Sequence, residues 1–206
     1  MSNLIPLKQF YGRGAVIDAL RGGRYEQRED GLFVPAAGVA FGGVFETWDS
    51  RSRLVTRDKN LVVNQGLYQI LLSALTGGSA ISSWYIAPYK GSISPSATQA
   101  AAGTFGGGGT AWPTVVTEAT EYDEAARQSW NYDAMAATDT SVDNDTNRAT
   151  FTINASITVR GAGILSASAK SATTGTLLCY ANFGTARALV DNDVLTVKYT
   201  ITATSS

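Results

Sequence analysis

The sequence predicts a mainly β protein: an antiparallel β-sandwich, for which a jelly-roll-like arrangement is one option, with one short helix and an extended N-terminal arm. Three observations predict it. The last third alternates apolar and polar residues with a period of two, rich in Thr and β-branched side chains and cut by turn residues. Only residues near 64–76 carry a sustained helical spacing. Residues 1–37 gather Arg13, Arg21, Arg24 and Arg28 among scattered glycines and hold no lasting period.

The chain is therefore divided into an arm, 1–37, and a sandwich domain, 38–206. Phe10, Tyr11, Val16, Ile17, Tyr25 and Phe33 make the arm too apolar for a purely solvated tail, so it is expected to order against a partner. Val39 to Trp48 reads as a strand, with Gly42-Gly43 suggesting a bulge or bend. The polar turn Asp49-Ser50-Arg51-Ser52 returns it through Arg53 to Thr56 as a hairpin. Asn64 is the expected N-cap of a helix whose stripe is Leu67, Ile70, Leu71, Ala74 and Leu75, stopped by Gly77-Gly78. That stripe needs a sheet to lie on.

Ile81 to Tyr89 is expected to be an aromatic strand. Gly91 to Pro113, rich in Gly, Ala and Ser, is too long for a turn and reads as a functional, interface or partly disordered loop. Thr117 to Trp130 is expected to hold one or two helical turns, because Thr120-Glu121-Tyr122-Asp123 resembles a capping box. Ala149 to Val159 reads as one alternating strand, broken by Gly161-Ala162-Gly163 and continued by Ile164 to Ala169. Thr176 to Phe183 is an apolar run suited to a central strand, and Val194 to Thr202 alternates again.

Composition excludes much chemistry. There is no histidine, which removes Ser-His-Asp and Cys-His sites, His-ligated zinc and the usual neutral-pH base. The one cysteine, Cys179, lies in an apolar run and is expected to be a buried small hydrophobe. Charged residues are 16%, with formal net charge −1, so no basic field points to nucleic acid. Met1 to Pro6 lack the pattern of a secretion signal, and no run approaches about 18 apolar residues, so neither secretion nor a membrane span is expected.

The remaining motifs are weak. Gly12-x-Gly14 and Gly106 to Gly109 lack the Gly-Lys-Ser/Thr ending of a phosphate loop. Asp139, Asp143 and Asp145 resemble part of a calcium loop but lack its glycine and distal glutamate, and read as a polar turn. Glu118, Glu121, Asp123 and Glu124 could supply a hydrolase's carboxylate pair, but acids crowded on a short helix usually form a solvated face, and Arg127 and Arg148 could pair with them. Asn154-Ala155-Ser156 fits a glycosylation acceptor inside an expected strand and is given no role. No catalytic residue, cofactor or metal site is expected.

Asn60-Leu61-Val62-Val63-Asn64-Gln65-Gly66-Leu67 resembles a stretch in a family of tailed-bacteriophage virion structural proteins. In that family a hairpin strand like Gly43-Val44-Phe45-Glu46 precedes it, and an aromatic strand like Ser83-Trp84-Tyr85-Ile86-Ala87 follows. Glu121-Tyr122 through Arg127, Arg148 to Ile153, Arg160-Gly161-Ala162-Gly163, Phe183 and Asp193 to Val197 continue the likeness, which spans roughly 40 to 203. The resemblance implies a capsid decoration, or cement, protein on the outer shell, made in the host cytoplasm, with the major capsid protein and copies of itself as partners and a homotrimer as the expected form. A tail or head-to-tail component is the alternative, and a carbohydrate-binding or hydrolysing adhesin with Trp112 on a sugar platform the third reading. On the first, Phe10, Tyr11, Arg13, Arg21, Arg24 and Tyr25 would supply the capsid contacts, since aromatic and Arg side chains dominate interface hot spots.

Overall fold

The computed structural model describes residues 25–27, 33–35, 39–91, 93–106 and 109–205, the first two stretches by backbone alone. The chain divides into two units, 1–40 with 203–206, and 41–202. In the first, β1 (Tyr25–Gln27) and β2 (Phe33–Pro35) pair antiparallel, Tyr25 opposite Pro35. The expected arm thus contains a short ribbon that no period announced, and most of 1–37 lies outside the described residues.

The second unit is the sandwich. One sheet runs β10 (Ser141–Val142), β14 (Val194–Ser205), β3 (Val39–Asp49), β4 (Val55–Lys59), with β11 (Ala149–Thr152) also paired to β14. The other runs β5 (Leu61–Val62), β13 (Leu177–Leu189), β12 (Ile157–Leu165), β6 (Tyr85–Tyr89), β9 (Gln128–Ser129). β10 and β11 pair antiparallel with β14, β3 with β4, and all the pairs of the second sheet are antiparallel. Between the sheets Phe45, Phe151, Leu195, Val197 and Tyr199 meet Val159, Ile164, Cys179, Ala181 and Phe183, all buried, which is the packing of a β-sandwich.

The second sheet is covered on its far face too. Other residues of its strands, Ala87, Tyr89, Leu165, Leu177 and Tyr180, join Ala101, Trp112 and Val116 in a separate buried cluster. Burial on both faces explains why Leu177 to Ala181 reads as an unbroken apolar run. The cover comes from the expected loop at 91–113, which holds a small hairpin, β7 (Gln99–Ala100) and β8 (Gly103–Thr104), and leads into a helical turn, α2 (Trp112–Val115). The buried Gln99 amide donates to Ala100 O, Gly103 O and Thr110 O and ties the hairpin together.

The β3–β4 hairpin forms as expected, Val44 opposite Lys59 and Trp48 opposite Val55, with the Asp49 carboxylate accepting from Ser52 N and Oγ in the turn. β3 runs unbroken through Gly42-Gly43. Gly43 is there for close approach, since a Cβ would lie 2.5 Å from Thr200 O.

The helix, α1 (Asn64–Leu75), lies where its spacing predicts, but two details differ. Its N-cap is Val63, whose side chain has no polar atom to cap with, and the Val63 and Asn64 amides donate to Leu178 O and Ala97 O. Leu67 and Ile70 pack on the core, whereas Leu71 (51% exposed), Ala74 and Leu75 (76% exposed) face outwards. Gly77 at φ +68° ends the helix, and Gly78 N–H donates to Leu72 O.

Four other expectations fail, three of them for identifiable reasons. Ala149 to Val159 is two strands in different sheets, β11 and β12, joined at the exposed Asn154-Ala155-Ser156 corner. The alternation persists because both strands turn the same side chains to one core. Gly161 and Gly163 do not break β12; they make room for Tyr89 and Trp112, the latter's Cη2 standing 2.6 Å from where a Gly163 Cβ would be. Thr117 to Trp130 holds no helical turn. Tyr122 bridges to Ile153, Asp123 N–H donates to Thr152 O, and the Tyr122 ring packs edge-on against Phe151, holding the segment extended along β11. The expected strand at Ile81 to Tyr89 begins only at Tyr85.

Candidate functional site

Of the six expected contact residues, Phe10, Tyr11, Arg13, Arg21 and Arg24 lie outside the described residues. Tyr25 opens β1 with its backbone opposite Pro35.

Among the described residues, most of the acidic groups that the sequence singled out are paired within the fold. Glu118 and Arg127 form a two-pronged ion pair at 2.9 and 2.6 Å with both side chains buried, and Arg127 also donates to Ala167 O and Ala172 O. Glu121 pairs with Lys90. Burial of Glu121 opposes its ionisation, but the Lys90 and Thr120 hydrogen bonds outweigh it and hold the carboxyl below its ordinary value. Glu124 accepts from Thr152 N. Arg148 turns away from this cluster, pairing with Asp145 and lying over the Trp48 ring.

In the aspartate-rich turn, Asp143 and Asp145 bind Lys198, and Asp139 caps Ala136 N. Asn144 is buried, bridging Tyr199 N and Asn147 O. Among the described residues no group of three or more acids and cysteines could hold a metal ion.

Cys179 is fully buried and donates to the Tyr199 hydroxyl; burial pushes its thiol up to about 12. Trp112 is buried edge-on against Tyr89 and Tyr180, so its ring is not exposed as the platform of the third reading.

Sequence reasoning missed a second buried ion pair. Arg187 lies 3.4 Å from Asp49 and donates to Thr47 Oγ1 and Thr56 Oγ1. Its signal was the alternation of β3, which points Thr47 and Asp49 to the same inner side as Phe45.

A groove of about 370 Å³ opens beside α1, lined by Gln69, Ile70, Ser73, Ala80, Ile81, Trp84, Trp130, Tyr132, Met135, Val142, Leu178 and Ile201. None of these side chains is charged. Its polar members are largely engaged: Gln69 Nε2 donates to Ser79 O, Ser73 Oγ to Gln69 O, and Trp130 Nε1 to Tyr199 O. Tyr132 and Met135 stand more than half exposed at its rim. The arrangement offers contact area and no nucleophile or acid–base pair. Across α1 from the groove, Tyr68, Leu71 and Leu75 form a further exposed apolar row. Among the described residues no helix is long and apolar enough to cross a membrane.

No family model matches the chain, and no curated protein matches it.

Proposed function

We propose that the chain is a non-enzymatic virion protein that decorates a tailed-phage capsid and cements its shell at capsomer junctions. The observation that supports this best is a surface suited to contact: an uncharged aromatic groove and exposed apolar residues, on a sandwich whose buried ion pairs all serve its own packing. The resemblance of residues 40 to 203 to virion structural proteins supports the same reading. A ligand that binds only the assembled shell stabilises it by mass action. Its partners would be the major capsid protein and further copies of itself, and symmetry would multiply weak contacts into avidity.

Quantitative mass spectrometry of purified virions tests this. The expected ratio of this chain to the major capsid protein is one, or a simple fraction of it. About 6 to 12 copies per particle would instead place it in a tail or connector ring, and absence from virions would remove the structural reading.

The arm carries the attachment on this reading. A chain lacking residues 1–37 is expected to keep a cooperative unfolding transition and to lose capsid binding in co-sedimentation. Full decoration by the truncated chain would show that the arm is not the anchor.

A further inference from the structure

The outward row on α1 is anomalous for a solvent-facing helix. Tyr68, Leu71 and Leu75 lie on one side at 51%, 51% and 76% exposure, and the half-exposed Phe105 ring stands 5.6 Å from that of Tyr68. A surface helix ordinarily carries charge on its outer face. This one has no charged residue, and from Leu61 to Thr117 the sequence has only Lys90.

We propose that this face is where copies of the chain meet, Tyr68, Leu71, Leu75 and Phe105 of one copy seated against the same residues of another. The inference deepens the reading above and rests on the self-association included in it. Neutrality argues for the occupant. Around a two-fold axis the same side chains face one another, so a charged patch would repel its own copy, whereas an uncharged apolar patch is complementary to itself. A charged partner would lose hydration here and find no counter-charge.

Area argues in the same direction. At roughly 200 Å² per large side chain the exposed fractions come to roughly 400 Å², within the range where exposed patches are functional. That is about half of what each partner gives to a standard stable interface. The contact is therefore weak between two free copies and becomes strong when a lattice holds many copies at high local concentration.

The test is the molar mass of the full chain in solution by light scattering and sedimentation from about 1 to about 100 μM. The expected result is a mass that climbs with concentration from one chain to a small closed oligomer. With Leu71→Lys and Leu75→Lys together the association should weaken at least about 100-fold, while the thermal transition is retained. Leu75→Lys alone, at the most exposed position, is the second variant and should shift the same equilibrium without touching the core. A wild-type chain that stays monomeric throughout, or variants that associate as it does, would overturn the proposal. The mass is read without virions, so its failure is distinct from an unfavourable copy number.

Discussion

Arg127→Met is expected to destabilise the folded chain by about 3–5 kcal/mol, because it leaves Glu118 buried without its counter-charge. Loss of the guanidinium also strips Ala167 O and Ala172 O of their side-chain donor. Both carbonyls lie between β12 and β13, so this connection should loosen first. For a chain of this size the melting temperature should fall by on the order of 10 °C. The informative companion is Glu118→Leu with Arg127→Met. Removing both charges abolishes the unpaired carboxylate, and much of the lost stability should return, less what the two carbonyls and Ser171 N cost. Urea unfolding with unchanged m-values measures both. A single-variant loss below about 1 kcal/mol would mean that water or a rearranged Lys170 reaches Glu118.

The second large effect is expected at Gly66, the one buried residue of α1. Alanine is the better helix former by about 1 kcal/mol, so on an open helix this substitution would stabilise. Here a Cβ would stand 2.8 Å from Leu178 Cα and 2.9 Å from its carbonyl carbon, closer still to the oxygen. Those atoms belong to a strand paired on both sides, which cannot give way. The helix would have to move, stretching the Val63 N–H bond to Leu178 O and the two bonds that Gln65 Oε1 accepts from Ala101 N and Leu177 N. Overpacking and strained hydrogen bonds together set the expected loss at about 2–4 kcal/mol. Gly42→Ala, which meets nothing within 4 Å, should change stability by less than about 1 kcal/mol. Equal losses at the two sites would show that helix docking is not the cause.

Local pattern carried the sequence reading as far as each strand's own neighbourhood. The β3–β4 hairpin, α1 and the strands at 177 and 194 follow from turn residues and periods acting within a few positions. The sheet switch at Asn154 to Ser156 was hidden because period two reports which way a side chain points, and both sheets point inwards. Gly161 and Gly163 were mistaken for punctuation because their reason, the Tyr89 and Trp112 rings, comes from distant segments. Trp112 itself sits in a low-complexity stretch that looked external, yet that stretch packs on the second face of a sheet. On the surface, helical spacing found Leu71 and Leu75 but assigned them to the core; composition alone cannot tell a buried stripe from an exposed one. The ion pair of Arg187 with Asp49 joins residues far apart in sequence, and only the inward phase of Asp49 hinted at it.

β3 leaves the ribosome well before β14, the strand that closes its other edge. At about 5–20 residues per second the interval is on the order of ten seconds. Throughout it the β3–β4 hairpin carries an unpaired edge and the bare ring of Phe45, the features that invite strand pairing between nascent chains. Chains interrupted before residue 194 should therefore be cleared or aggregate, and the yield of soluble protein should depend on how quickly β14 is threaded between β11 and β3.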